Sequence, residues 1–588
     1  MSGKKLLNTV ERCVDENLEG LVIINPGLRL IKDTRVVVRA DIESVKKAGK
    51  VTLLCGGGSG HEPAHAGYVG SGMLSCAVAG SVFTSPPPQD ILTGLRMITK
   101  DNPGGCFVMV PNYTGDRLNY GIGMERGKHE GLKISAVTVG EDCATSSKDK
   151  SAGRRGLCGM FLLIKIAGAL AEEGRSLDEV TKSSQLAVDN MGTIGLALGA
   201  CSTPGSNGPL FTVQPDEMEL GLGLHGEAGV KRIKLLTAKE TVKVMIDHMT
   251  NPENSTHLAV KKGDRVACMI NNLGGMSVLE MNVIAKETIQ YLEGNLGLKV
   301  DRAYCGAYVT SLEMAGISIS LLHLNDTFTR CLDAPTSAPA WLVPLLGPGQ
   351  TDRQTPAPMM PIGGPSSEVQ EAQGLSISKA EGDRIYDIIE KVCDSLQSVK
   401  EMLDGLDSES GDGDCGSTMA RGAQCIKEKL GKKENPGLPV TNPSQLSLEL
   451  ASIVESVMGG SSGGIYSLFF TAASSQLQKE VTSQTWLQAM TAGIAAIQRY
   501  GGAEPGDRTM LDALWAAKET FEKKLADSSP VEAFREAVKA GESAAESTKD
   551  MKARAGRASY VSADLLTKAD PGAMAVAVWL KAILELLV

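Results

Sequence analysis

The chain has 588 residues, 42% of them apolar and 22% charged, with a formal net charge of −10. That length exceeds a single hydrophobic core and sets an expectation of about three to four domains. The negative balance argues against a nucleic-acid partner or an anionic membrane surface. No apolar run approaches the ~20 residues of a membrane span, since the best one, Met160 to Ala171, is broken by Lys165. Thirteen cysteines without a CxxC pair, behind an N-terminus lacking a secretory apolar segment, read as the reduced thiols of a cytoplasmic protein.

Taken in chain order, residues 1–330 alternate short β-rich runs with helical patterns. Val51 to Cys55, Phe107 to Val110 and Ile134 to Val139 are apolar runs of strand length. Residues 266–270, 302–309 and 317–324 are later ones, with helical stretches such as 159–173 and 238–249 between them. Strands alternating with helices predict parallel α/β layers, divided into two α/β subdomains near residue 195. Cys55 to His65 (CGGGSGHEPAH) runs from the first of these strands into a Gly-rich turn, the end of an α/β strand where ligands bind. It is neither a Walker loop nor a G-x-G-x-x-G fingerprint. A metal held by His61 and His65 is discounted because Pro63 lies between them. Pro111 to Arg117 (PNYTGDR) brings Asp116 to a similar sheet edge, either as a proton-relay partner for His61 or as a helix cap. Glu219 to Gly229 sets His225 among four glycines, where its imidazole is approachable as a nucleophile or simply occupies a turn.

Pro335 to Pro365 contains eight prolines. The stretch 335–378 is expected to be a linker separating an α/β domain, 1–334, from a helical domain, 379–588. Its typical span is about 35–40 Å. Residues 379–588 repeat helical patterns at 379–403, 417–430, 443–458, 464–480, 483–499, 508–526, 531–548 and 571–587, so an all-α bundle of about eight helices is expected.

Within that half, Leu406 to Gly416 (LDSESGDGDCG) crowds Asp407, Asp412 and Asp414 onto a glycine-rich loop. All seven histidines precede residue 324. A metal here could therefore not use imidazole, and oxygen-only ligands from these carboxylates would point to Mg²⁺, Ca²⁺ or Mn²⁺. The EF-hand frame is missing, and an acidic, solvated turn is the other reading. Met458 to Gly464 (MGGSSGG) precedes a helix and offers an anion cradle. Gly506-Asp507-Arg508-Thr509 and Asp570-Pro571-Gly572 are turns that add to the same mouth or are plain turns.

At this point the residues resemble a known family along nearly the whole chain. GGGSGHEPAH, NYTGD, AGRRG (152–156), GLGLHGEAG and NNLGG (271–275) resemble the substrate domain of dihydroxyacetone kinases. LDSESGDGDCG, GGSSG, PGDRTMLD and GRASY resemble their nucleotide domain. The resemblance implies an ATP-dependent kinase of dihydroxyacetone and glyceraldehyde. In its animal members it also implies a second activity that splits FAD to AMP and cyclic FMN at the nucleotide site. It implies that Gly58, Ser59, Gly60, His61 and Asp116 bind substrate, that His61 and Asp116 activate its hydroxyl, and that His225 forms a hemiaminal with the ketone. Asp407, Asp412 and Asp414 are implied to hold two Mg²⁺, with Mn²⁺ or Co²⁺ as candidates for FAD cleavage. Asp414, Cys415, Gly416, Ser417, Ser461, Ser462, Gly463, Arg508, Thr509, Asp570, Pro571 and Gly572 are implied to line the nucleotide. A homodimer is compatible with the linker reach. Two positions depart from the common pattern: Pro111 stands where many relatives carry a substrate-contacting lysine, and Cys415 where bacterial relatives often carry histidine. The competing class is a non-catalytic lipid- or nucleotide-binding, regulatory protein on the same folds.

Overall fold

The computed structural model describes residues 4–144, 153–226, 229–342, 374–409, 411–562 and 565–588. The chain divides into two compact units, Met1–Ala357 and Pro358–Val588.

In the first unit, one six-stranded sheet contains β1 (Leu28–Leu30), β2 (Val36–Arg39), β3 (Thr52–Ser59), β4 (Cys76–Val82), β5 (Cys106–Pro111) and β6 (Ile134–Val139), in the order β1-β2-β4-β3-β5-β6. β4, β3, β5 and β6 are parallel, while β1 and β2 close one edge antiparallel. The second sheet contains β7 (Met191–Ala197), β8 (Glu217–Leu220), β9 (Lys231–Lys234), β10 (Arg265–Asn272), β11 (Lys299–Gly306) and β12 (Gly316–His323), in the order β11-β10-β12-β7-β8-β9. The expectation of parallel layers fails in this sheet, where the β10–β11 pair is parallel and the other pairs are antiparallel. The reason is connectivity. β7, β8 and β9 follow one another with no crossover helix, and a parallel neighbour needs one. The change of sheet falls between β6 and β7.

The helices of this unit are α1 (Cys13–Ile24), α2 (Ile42–Lys47), α3 (Pro88–Thr99), α4 (Thr114–His129), α5 (Met160–Glu172), α6 (Leu177–Asp189), α7 (Ala238–Thr250), α8 (Val278–Gln290) and α9 (Asp326–Asp333). Strand alternation decides what each face buries. Leu54, Val108 and Val78 pack on α3 and α4, whereas Leu53, Phe107 and Ala77 face a core shared with α5 and α6. Ala267 and Met269 of the second sheet join that same shared core, and Val266, Cys268 and Ile270 face α7 and α8. α5 is buried along its whole apolar run. Its Lys165 is accommodated because Nζ donates to the Cys331 carbonyl at 2.7 Å, and burial pulls its pKa down to about 8.

The stretch 335–342, expected to be linker, instead packs on the first unit. Thr336 Oγ1 donates to Ser71 O at 2.7 Å, Ala340 N donates to Gly67 O, and Trp341 is buried against Tyr304. Ile377 N donates to Thr441 O, so 374–378 belongs to the second unit. The rest of the expected linker lies outside the described residues.

The second unit contains α10 (Lys379–Ser398), α11 (Lys400–Asp407), α12 (Cys415–Leu430), α13 (Pro443–Met458), α14 (Gly460–Ser474), α15 (Ser483–Gly501), α16 (Met510–Leu525), α17 (Pro530–Ser547) and α18 (Pro571–Glu585). The helix expected at 379–403 is two, broken at Val399, and a two-residue hairpin, β13 (Gly431–Lys432) with β14 (Asn435–Pro436), was not legible in the sequence. Small residues let the helices approach closely: Ala513, Ala517, Ala533, Ala537, Ala573 and Ala577 lie in one core with Leu511, Leu514 and Leu580.

Candidate active site

In the first unit, β3 and β5 are parallel neighbours, so their ends deliver Gly57 to His61 and Pro111 to Asp116 to one edge. A small cleft opens there, lined by Gly58, His61, His65, Pro111, Tyr113, Asp116, Leu224 and His225 among others. Gly58 cannot carry a side chain, because a Cβ would lie 2.8 Å from the Thr84 backbone nitrogen. Ser59 and Gly60 do not line this cleft. Ser59 Oγ donates to Gly80 O at 2.8 Å, and Gly60, at φ +92°, donates its N–H to the Glu62 carboxylate. These two residues shape the turn.

His61 Nδ1 lies 2.8 Å from the Thr310 carbonyl. A carbonyl can only accept, so Nδ1 carries the proton and Nε2 is the basic nitrogen of the neutral ring. The Thr310 segment is itself pinned by Asn271 of the NNLGG motif, whose Nδ2 donates to Val309 O at 2.8 Å while its Oδ1 accepts from Tyr308 N. The His61 ring stacks on Phe83 at 5.0 Å and meets the edge of His225 at 4.9 Å, and Tyr113 meets His225 at the same distance. Asp116, in the first turn of α4, is 5% exposed. Burial pushes its carboxyl up to about 6 against the opposing pull of Ser85 and His225, and its Oδ1 has no hydrogen-bond partner among the described residues. The cleft therefore gathers a basic histidine, a carboxylate poised near neutrality and a second, accessible histidine. His65 also faces it, and burial holds its pKa down to about 4.

In the second unit, Asp407 is the last residue of α11 and Asp414 precedes α12. Asp407 Oδ2 accepts from Asp414 N at 2.9 Å and Cys415 N at 3.2 Å. One carboxylate oxygen from each of Asp407, Asp412 and Asp414 lies within 4.8 Å of the others. Unit charges at that spacing repel by about 1 kcal/mol per pair even at the dielectric of water, and an all-oxygen set of this size suits a hard divalent cation. The Arg557 guanidinium, on the GRASY segment, forms an ion pair with Asp412 and holds its carboxyl below the usual range, while burial followed by the Asp412 charge pushes Asp414 up. Sequence reasoning quoted GRASY but did not assign Arg557 a role.

The MGGSSGG segment is a junction and not a loop. α13 ends at Met458 and α14 starts at Gly460, with Gly459 and Gly460 at φ +66° and +55°. Ser461, Ser462 and Gly463 form the first turn of α14; the Gly463 N–H donates to Gly459 O at 2.9 Å, and the N–H groups ahead of it have no preceding helical carbonyl to bond. Arg421 ties α12 to this junction through Val457 O and Met458 O. Arg508, 2% exposed, donates Nη2 to Lys568 O at 2.6 Å, and its Nε and Nη1 are buried with no protein partner among the described residues. Lys568 in turn pairs with Glu409 at 3.0 Å, bringing the 508, 568 and 407–414 segments together. Asp570 caps α18, accepting from Ala573 N at 2.8 Å, so Pro571 and Gly572 open a helix and do not form a free turn. Burial pushes the Asp570 carboxyl up to about 6, with Arg508 pulling the other way, and pushes the nearby Cys415 thiol up to about 12. Gly416, Ser417 and Thr509 act as pins. A Cβ on Gly416 would meet Lys400 O at 1.9 Å, Ser417 donates both N–H and hydroxyl to Asp404, and Thr509 caps α16.

A small-molecule cleft with paired histidines, joined in one chain to a helical unit with an acidic triad and anion-facing helix ends, is the two-domain arrangement of one kinase family. Residues 19–340 match the Dak1 domain and residues 409–585 the DAK2 domain, and the chain belongs to the dihydroxyacetone kinase family. It is 47% identical over 592 residues to the Triokinase/FMN cyclase of Homo sapiens, covering 100% of both chains. It is 34% identical over 579 residues to the dihydroxyacetone kinase of Citrobacter freundii, covering 97% of each. The crystal structure of the dihydroxyacetone kinase from C. freundii in complex with AMP-PNP and Mg²⁺ is 32% identical, covers 100% of both chains and aligns with a TM-score of 0.66.

Proposed function

We propose that this chain phosphorylates dihydroxyacetone and glyceraldehyde with ATP and also splits FAD to AMP and cyclic FMN. The observation that carries the reading is the coexistence, in one chain, of the His61–Asp116–His225 cleft and the Asp407–Asp412–Asp414 cluster. His225 adds to the substrate ketone: its nitrogen lone pair forms the N–C bond, the π pair moves to oxygen, and the proton shed by the imidazolium ends on that oxygen. A polyol without a carbonyl cannot be captured this way. Asp116, ionised above about pH 6, takes the proton of the substrate's terminal hydroxyl, with His61 Nε2 orienting it. The oxygen then forms its bond to the γ-phosphorus as the bond to ADP breaks. Two Mg²⁺ held by Asp407, Asp412 and Asp414 would neutralise charge on the transferred phosphoryl group. The helix end at Ser461 and Ser462 and the buried Arg508 guanidinium supply donors to the phosphates.

For FAD, whose adenylate half resembles ADP, a ribityl hydroxyl attacks the nearer phosphorus, closing cyclic FMN and expelling AMP. Mn²⁺ or Co²⁺ held by the same carboxylates would neutralise the charge that develops in this second reaction. The first unit is inferred to hold the substrate and the second the nucleotide and metal, and the assembly inferred is a homodimer. A cytoplasmic setting is supported by thirteen free thiols. Among the described residues no helix is long and apolar enough to cross a membrane. The test is an ADP- and AMP-release assay with dihydroxyacetone, glyceraldehyde, glycerol and FAD under Mg²⁺, Mn²⁺ and Co²⁺. Multiple turnovers of ATP on the two carbonyl substrates and not on glycerol are expected. A single turnover, or none, would favour a binding protein.

A further inference from the structure

Arg155 of the AGRRG motif takes no part in the chemistry above, yet it is tied to the loop that carries His225. Arg155 Nε donates to Asp142 Oδ2 at 2.7 Å, and its Nη2 donates to the Gly221 carbonyl at 2.7 Å. Asp142 is a rigid anchor: its side chain is 0% exposed, its Oδ1 accepts from Ala144 N at 2.8 Å, and the following residue, Cys143, donates its N–H to Thr193 O of β7. At the other end, Gly221 starts the loop after β8. It sits at φ +77°, and a Cβ there would lie 2.7 Å from Ala144. Its N–H donates to Gly195 O at 2.7 Å. Past it, Leu222 and Leu224 are buried, and Ser311 Oγ donates to Leu224 O at 2.5 Å, one residue before the histidine.

His61 and Asp116 come from the first sheet and His225 from the second, so their mutual distances depend on what joins the two sheets at this loop. We infer that Arg155 is a positioning residue that holds the His225 loop at the distance needed for attack on the substrate carbonyl, an inference that rests on the reading of His225 above. The guanidinium suits this task because its planar fork reaches two acceptors at once in fixed geometry. A lysine keeps the charge beside buried Asp142 but is a single point of contact and cannot serve both acceptors. Arg155→Lys is therefore the informative change, since Arg155→Ala would strand a buried carboxylate.

A displacement of about 1 Å at a reacting centre costs on the order of 100-fold in rate. Arg155→Lys is expected to lower kcat/KM for dihydroxyacetone by about ten- to 100-fold, mainly through KM. FAD cleavage should stay within about twofold, because the cost falls at the carbonyl-attacking group. Dihydroxyacetone affinity, measured by titration on Arg155→Lys, His225→Ala and the double variant, separates positioning from general structure. If Arg155 acts through His225, the double variant binds no more weakly than His225→Ala alone. Overturning results are an Arg155→Lys enzyme within about twofold of the parent for dihydroxyacetone, or equal loss of both activities, or an additive double variant. If His225→Ala keeps the preference for dihydroxyacetone over glycerol, the reading of His225 itself fails and takes this inference with it. A parental Arg155→Lys beside an impaired His225→Ala removes the inference alone.

Discussion

Replacing Asp116 with asparagine should make the protein more stable and inactive as a kinase. The buried Asp116 carboxyl has its pKa raised from 3.8 to about 6, chiefly by desolvation. Because the folded value lies above the unfolded one, the unfolded state releases its proton first as pH rises. Stability is thus lost progressively between pH 3.8 and about 6 and stays lost above that. A shift of about two units corresponds to about 3 kcal/mol at pH 8, and to about half of that at pH 5. Asparagine is nearly isosteric and never ionises, so Asp116→Asn should gain up to about 3 kcal/mol at pH 8, with the gain shrinking as pH falls. Urea unfolding followed by circular dichroism at pH 8 and pH 5 reads this directly, and an ADP-release assay on the same samples reads activity. In the parent enzyme, kcat/KM for dihydroxyacetone should fall about tenfold per pH unit below about 6, as the base becomes protonated. The reasoning fails if the variant is less stable at pH 8, if its gain does not depend on pH, or if it still turns over dihydroxyacetone.

Three other outcomes are expected. His225→Ala should cut dihydroxyacetone phosphorylation by at least about 100-fold while sparing FAD cleavage, as expected for a lost nucleophile; equal loss of both would refute separate sites. Asp412→Asn should abolish both activities and weaken Mn²⁺ binding measured by electron paramagnetic resonance, and survival of either activity would refute a shared metal cluster. Gly416→Ala places a methyl where the Lys400 carbonyl already lies, 1.9 Å away. Such overpacking costs about 1–3 kcal/mol and should shift α12 against α11, raising KM for ATP. A urea midpoint unchanged from the parent would show that the two helices yield freely.

The strands most easily read were the continuous apolar ones. Ile134 to Val139 was legible to the residue, and β3, β5, β10 and β12 to within one to four. β7 and β8 were missed. MGTIGLA mixes glycines into a fully buried strand, and EMEL is short and half charged, so neither carries a local strand signature. The acidic triad was legible as a cluster because its members lie within eight residues. Arg557, paired with Asp412, was not, since its place beside that loop comes from a segment far along the chain. Ser461 was placed ahead of the helix that it in fact begins, and Asp570 was read as a turn where it caps α18. Gly459, at φ +66°, is the single residue between the end of α13 and the start of α14.

What the sequence alone determined was chemical type. With no histidine after residue 323, the second half could offer no imidazole, and its clustered carboxylates pointed to a hard cation. The glycines around His225 marked its ring as approachable. Tertiary structure decided partnership and protonation. His61 and His225 meet at 4.9 Å because two separate sheets share a core around α5, and Asp116 is held near neutrality because packing removes its water. Residue type and turn geometry act over a few residues and are written locally. Desolvation and the distance between remote groups are properties of the packed chain, and they bring a buried carboxylate and two histidines from remote segments into one cleft.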